Sequence, residues 1–337
     1  MEHYERLGKI AEGASGAVYK ARDRRTGETV AIKRLRPGAG NGEGDAFAEA
    51  FLREVRCLEA CRGCPCLVEL RAAHLDAAAA GGAAFLVMEY AGRSLAELAR
   101  EEEDGRRIPE AEARRVMRGL LEGAAAMHAR GVLHRDLKPD NVLLDARGGV
   151  KICDFGLSRA AASSDEDAEP LTAGVATLWY RAPELILGSR DYDAGVDTWA
   201  LGCIMAELLA GAPLFPGRSE MDQLNRVFDT LGMQDMPSWP GFAALPRAGS
   251  ALCQRARPPS RLREKFPALS AAGFDVLSGL LTCRPDRRLA AADALRCPWF
   301  AADAATAPEA VPDQLRAASC AASMASSVAG VAEAIIA

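Results

Sequence analysis

The run His134-Arg135-Asp136-Leu137-Lys138-Pro139-Asp140-Asn141, followed closely by Asp154-Phe155-Gly156, constrains this chain more than any other stretch. It sets a carboxylate that can act as a base, a cation and two side chains with hard oxygen donors close together. Each charged residue taken alone reads as a solvated surface group. The ordered set, with the elements upstream of it, does not.

Upstream, Val30-Ala31-Ile32-Lys33 is a short β-branched run ending in a cation, the pattern of a strand that aims Lys33 into a site. Before it, Ala11-Glu12-Gly13-Ala14-Ser15-Gly16-Ala17-Val18 has the form of a glycine-rich hairpin. Glycine lets backbone N–H groups approach phosphate oxygens without a side chain between them. Ala11 replaces the first glycine of a G-x-G-x-x-G pattern, which predicts a stiffer loop and weaker nucleotide affinity.

H-R-D-L-x-x-x-N, D-F-G, V-A-I-K and the glycine loop together resemble a eukaryotic serine/threonine protein kinase. Ala176-Thr177-Leu178-Trp179-Tyr180-Arg181-Ala182-Pro183-Glu184 and Gly217-Arg218-Ser219-Glu220-Met221-Asp222-Gln223-Leu224 narrow the resemblance to the cyclin-dependent kinases of the CMGC group. It runs from about Tyr4 to Phe300. The fold it implies is α+β and bilobal: a small β-rich N-lobe with one regulatory helix over 4–87, a hinge over 88–92 and a larger helical C-lobe over 93–300. Residues 301–337 read as an Ala/Ser-rich tail.

Helical periodicity supports this division. Phe47, Phe51, Val55 and Leu58 recur on one face of a helix expected from Ala46 to Ala60. Further helices are expected from Glu110 to Arg130, Val196 to Leu209, Met221 to Leu231 and Gly273 to Leu281.

The resemblance assigns roles residue by residue. ATP and Mg2+ are the implied substrate and metal. Lys33 is expected to hold the α- and β-phosphates, with Glu54 as its carboxylate partner. Asp154 and Asn141 are expected to coordinate magnesium, Asp136 to take the substrate hydroxyl proton and Lys138 to neutralise the γ-phosphate. The nucleotide pocket is expected at Ala11, Glu12, Gly13, Ala14, Ser15, Gly16, Val18, Ala31 and Leu143. Met88 stands as gatekeeper, and the backbone of Glu89 and Ala91 faces the adenine. Glu184 should pair with Arg288, and Asp197 should brace the catalytic loop.

For regulation, Thr172 falls at the position that the family phosphorylates, and Arg53, Arg135 and Arg159 at the positions that receive the phosphate. Arginine suits this because its planar fork binds phosphate in bidentate fashion. The acidic insert Ser163-Ser164-Asp165-Glu166-Asp167-Ala168-Glu169 reads as a solvated loop. Val175 and Arg181 imply substrates in which proline follows the target residue. The expected partners are therefore Ser/Thr-Pro proteins, a cyclin or cyclin-like activator and a kinase acting on Thr172. Ala48-Glu49-Ala50-Phe51-Leu52 departs from the usual cyclin-facing helix, which leaves a cyclin-independent kinase of the same family as an alternative. A pseudokinase scaffold is a third reading, against which the retained Lys33, Glu54, Asp136, Asn141 and Asp154 count.

Composition excludes other classes. A net charge of −5 over 337 residues provides no basic footprint for nucleic acid. No apolar run is long enough to span a bilayer and the first residues do not begin a secretory leader, so the expectation is a nuclear or cytoplasmic enzyme with reduced thiols. Cys61-Arg62-Gly63-Cys64-Pro65-Cys66 has no matching second pair for a tetrahedral zinc site and reads as a turn. Cys153 reads as a small buried residue.

Overall fold

The computed structural model describes residues 2–13, 16–36, 43–76, 83–101, 107–145, 147–160 and 178–301, with side chains from 47 onward in the first helix. Ala14, Ser15, Thr172, Val175, the acidic insert and the tail beyond 301 lie outside the described residues.

The first lobe is a five-stranded antiparallel sheet in the order β1-β2-β3-β5-β4 with one long helix. The strands are β1 (Tyr4–Gly13), β2 (Gly16–Asp23), β3 (Thr29–Leu35), β4 (Leu70–Asp76) and β5 (Ala83–Glu89), and helix α1 is Glu43–Ala60. Strand side chains alternate between faces. Val30 and Ile32 of β3 join Ala21 and Val87 in a small cluster on one face, covered by Tyr4, Ala72 and Phe85. Ala31 and Lys33, between them, turn to the other face and line a cleft. In the main core Phe51 and Leu58 of α1 meet Leu70, Leu86 and Met88. Phe47 and Val55 pack against this core while only partly buried, because the stripe also takes in Glu54 and Cys57.

The hairpin between β1 and β2 pairs Gly13 with Gly16. Gly16 has φ +147°, and a Cβ there would stand 2.0 Å from the Arg34 carbonyl oxygen. Only glycine fits.

The second lobe is helical. Ser94 and Glu97 form a reciprocal capping box that starts α2 (Leu95–Arg100). Next come α3 (Glu110–Ala129), α4 (Pro183–Ile186), α5 (Gly195–Ala210), α6 (Glu220–Leu231) and α7 (Ala271–Leu280). Helix α5 is apolar on nearly every side and buried from Val196 to Ala206, so it forms the centre on which α3 and α7 pack. Short strands carry the chemistry-bearing segments: β6 (Arg93–Ser94), β8 (Val142–Leu144) and β9 (Val150–Ile152) form one small sheet, and β7 (Val132–Leu133) pairs with β10 (Arg159–Ala160). The α+β, two-lobed architecture is the one expected from the sequence. Strand β5 runs through Glu89, so it takes in Met88 and Glu89 of the expected hinge. Among the described residues no helix is long and apolar enough to cross a membrane.

Candidate functional site

A cleft of about 550 Å³ opens between the lobes. Ala11, Glu12, Gly13, Gly16, Val18, Ala31 and Lys33 line it from the sheet, Met88, Glu89 and Ala91 from the connection, and Lys138, Asn141, Leu143 and Asp154 from the second lobe. Every described residue expected in the nucleotide pocket is therefore on its wall, apart from Glu54, which stands behind Lys33. Ile10, Val68, Asp140 and Cys153 line it too and were not anticipated. For Ile10 and Cys153 the sequence held a signal, since each immediately precedes a motif residue.

Glu89 donates its backbone N–H to the Glu69 carbonyl at 3.0 Å, so only its carbonyl is left to face a ligand. Its carboxylate accepts from Lys151 Nζ at 2.6 Å and from the Glu69 N–H at 2.8 Å, which ties the connection to β9 from behind. Glu12, at the tip of the hairpin, is joined to Lys9 and Arg36.

Lys33 sits between two carboxylates: Nζ lies 2.7 Å from Glu54 Oε1 and 2.7 Å from Asp154 Oδ1. Lys33 and Glu54 are both buried. Burial alone would lower the Lys33 pKa, but the charges of Asp154 and Glu54 outweigh it and raise it. Burial raises the Glu54 carboxyl, with Lys33 opposing and Asp154 adding to the rise. Burial also acts to raise Asp154, yet Lys33 and the Gly156 N–H bring it below the ordinary carboxylate range. The charged form of Asp154 is thus the stable one.

Asp136, Lys138 and Asn141 form a second constellation. Lys138 Nζ donates to Asp136 Oδ2 at 2.7 Å, and Asn141 Nδ2 donates to the Asp136 carbonyl at 2.8 Å and to Oδ2 at 3.2 Å. Oδ1 of Asp136 is buried and, among the described residues, has no hydrogen-bond partner. Because the amide nitrogen of Asn141 is engaged, its oxygen is the atom left for a cation.

The loop that presents Asp136 is held from beneath by Asp197 of α5, which accepts the N–H groups of His134 at 2.9 Å and Arg135 at 2.8 Å. His128 Nε2 lies 2.9 Å from the same carboxylate. His134 Nε2 is 3.0 Å from the Cys153 carbonyl, and the His134 ring centroid is 5.2 Å from that of Phe155. Arg135 and Asp154 both have positive φ, +68° and +64°. Left-handed backbone at side chains other than glycine, asparagine and aspartate is uncommon and persists where surrounding contacts over-determine it.

Two of the three arginines expected to receive a phosphate meet at Tyr192. Arg135 donates from Nη1 to the Tyr192 hydroxyl at 2.9 Å, and Arg159 lies over the Tyr192 ring at 4.4 Å. Arg53, on the exposed side of α1, stands one turn before Cys57. Burial raises the Cys57 thiol's pKa, and the charges of Arg53 and Arg135 oppose the rise. Tyr192 was missed because nothing in its local sequence marks it.

Further down the second lobe, the expected pair of Glu184 and Arg288 is present: Nη1 and Nη2 reach Oε1 and Oε2 at 2.6 and 2.8 Å, both side chains being buried. Tyr180 donates to Glu207 Oε2 at 2.6 Å. Every described cysteine is a free thiol. Cys61 is buried in the core and Cys66 Sγ lies 3.7 Å from Glu122 Oε2, so the thiols of this turn point apart in their contacts. Burial pushes both up to about 11. Cys153 is partly buried on the cleft wall and packs against the core, and burial raises its thiol pKa.

The family profile described as "Protein kinase domain" matches residues 4–300. Among curated proteins, one of Oryza sativa subsp. japonica with the provisional designation cyclin-dependent kinase F-2 is 70% identical over 93% of this chain and 94% of its own length. Cyclin-dependent kinase G-2 of Oryza sativa subsp. indica is 43% identical over 89% of this chain, which spans only 42% of that relative. Cyclin-dependent kinase 20 of Homo sapiens is 39% identical over 89% of this chain and 83% of its own length.

Proposed function

This chain belongs to the protein kinase family and, within it, is a serine/threonine kinase of the cyclin-dependent type, and we propose that it moves the γ-phosphate of ATP to serine or threonine side chains that precede proline. In this reading phosphorylation of Thr172 activates it, and magnesium accompanies ATP.

The observation that carries the reading is Asp136 Oδ1, buried beside Lys138 and Asn141 and unpartnered among the described residues. A substrate hydroxyl donates its proton to Oδ1 as its oxygen attacks the γ-phosphorus and the bond to the β-phosphate oxygen breaks. Phosphoryl transfer depends chiefly on positioning and charge neutralisation. Lys138 neutralises charge on the transferred group, and Lys33, fixed by Glu54, holds the α- and β-phosphates. Magnesium, when bound, would supply further neutralisation of the phosphate charge. The Asp154 carboxylate and the Asn141 amide oxygen are hard donors of the kind it takes.

The preference for proline rests on Arg181, partly buried beside Glu220 at 3.3 Å, and on the family resemblance of Val175. Proline lacks an N–H, so a pocket without an acceptor selects it by not penalising that loss. Arg53, Arg135 and Arg159 would receive a phosphate on Thr172.

A second reading, in which the kinase works without a cyclin, is favoured by α1. Phe51 is buried in the chain's own core, and Lys33 and Glu54 are already joined. Leu52, 42% exposed on the same helix, is the side chain that a cyclin or cyclin-like partner would cover.

Transfer of radiolabelled γ-phosphate to paired Ser-Pro and Ser-Ala peptides, by wild type and Asp136→Asn, tests the reading. Transfer to Ser-Pro by wild type alone is expected. Equal transfer to both peptides would remove the proline preference, and transfer by Asp136→Asn at the wild-type rate would remove the assigned base.

A further inference from the structure

Three hydrogen bonds close a ring between the residues just before Arg181 and the start of α6. The Trp179 indole N–H donates to the Gly217 carbonyl at 3.0 Å, and the Gly217 N–H donates to Gln223 Oε1 at 2.9 Å. Gln223 Nε2 then returns to the Trp179 carbonyl at 3.2 Å.

Gln223 is fully buried on the first turn of α6. That turn is capped by Ser219, whose hydroxyl accepts the Asp222 N–H at 3.2 Å and whose carbonyl accepts the Gln223 N–H at 2.8 Å. A Cβ on Gly217 would stand 2.3 Å from Gln223 Oε1, so a side chain there would push the amide out of reach. A buried amide without partners is unfavourable, and here both ends of the Gln223 side chain are used. A leucine would fill the space as well and would bind neither backbone group.

The same turn holds Arg181. Glu220 reaches Arg181 Nη1 at 3.3 Å with one oxygen and Arg247 Nη2 at 2.7 Å with the other. Tyr180 and Arg181 in turn share the wall of a small cavity with Asp136. Trp179 is therefore held by the same turn that holds Arg181 beside this cavity.

We propose that Gln223 is a positioning residue for peptide recognition, holding Trp179 and through it Arg181 against the site where substrate polypeptide binds. This deepens the peptide-kinase reading above, on which it rests. Gln223 touches neither nucleotide pocket nor Asp136, so its loss acts on one substrate only.

Two measurements on the full chain test this. In steady-state kinetics, Gln223→Leu is expected to raise KM for a Ser-Pro peptide about tenfold, with KM for ATP within about twofold of wild type. Trp179→Phe, which removes the indole N–H together with the five-membered part of the ring, is expected to move the same constant in the same direction. An unchanged peptide KM, or an equal change in both KM values, would overturn the proposal. Amide hydrogen exchange over 178–182 reports on the ring whether or not the enzyme turns over. Faster exchange is expected in Gln223→Leu, with the rate at α5 unchanged, and equal exchange in both proteins would overturn the proposal independently of catalysis.

Discussion

Asp197 holds Arg135 in a left-handed backbone conformation: the carboxylate accepts the Arg135 N–H at 2.8 Å where φ is +68°. The residue immediately before Asp136 is thus fixed by a side chain from the centre of the second lobe. Burial would raise the Asp197 carboxyl, but the His128 hydrogen bond, the charges of His128 and His134 and the His134 N–H bring it below the ordinary range.

A carboxyl whose pKa is depressed on folding stabilises the fold above its unfolded value, about 3.9, and that stability is lost as pH falls through the folded value. Asp197→Asn should therefore lower stability near neutral pH by about 2–4 kcal/mol. Thermal unfolding of both proteins from pH 7 downward should show the gap narrowing below about pH 4. A gap independent of pH would contradict the assignment.

Glu184 and Arg288 form a bidentate pair shielded from solvent, and Arg288 also donates to the carbonyls of Thr282, Gly195 and Cys283. Removing one partner strands a buried charge. Glu184→Ala should cost about 3–5 kcal/mol, read as a lower urea midpoint at unchanged slope.

The two hairpin glycines should respond differently. Gly16→Ala places a methyl group against the Arg34 carbonyl at positive φ and should destabilise by more than about 1 kcal/mol. Nothing lies within 4 Å of a Cβ on Gly13, so Gly13→Ala should leave stability within about 0.5 kcal/mol of wild type. Its effect should be on KM for ATP, because the added carbon enters the cleft. Denaturation and nucleotide kinetics on the two variants separate the roles.

Thr172→Ala should lower phosphate transfer by at least roughly tenfold, through loss of the charge that the arginines receive. Tyr192→Phe removes the hydroxyl that orients Arg135 but keeps the ring beneath Arg159. It should lower the activity of the Thr172-phosphorylated protein by about fivefold, equivalent to one hydrogen bond. Kinetics of wild type and Tyr192→Phe before and after phosphorylation, beside those of Thr172→Ala, measure this.

The parts of the site legible in the sequence are those where chemistry and chain are contiguous. Asp136, Lys138 and Asn141 share one short loop, so their spacing alone brings them together. Lys33 with Glu54, and Glu184 with Arg288, became legible through the family pattern. Tyr192, His128 and Gln223 did not, because each acts on a residue far away in sequence and carries no local mark of its partner. Helix α2 was not expected: six residues are too few for periodicity to show, although Ser94-Leu95-Ala96-Glu97 has the spacing of a capping box. On α1 the apolar spacing located the core face while hiding the buried Glu54 within it, since period counts only apolar residues.

Strand β3 gives position a parity. Odd residues Ala31 and Lys33 belong to the chemistry, even residues Val30 and Ile32 to the oily underside of the sheet. One amino acid inserted between Thr29 and Lys33 would exchange the two populations, sending an ammonium into hydrocarbon and an isoleucine to meet Glu54. A surface loop tolerates such a frameshift in space; this strand tolerates changes only in pairs.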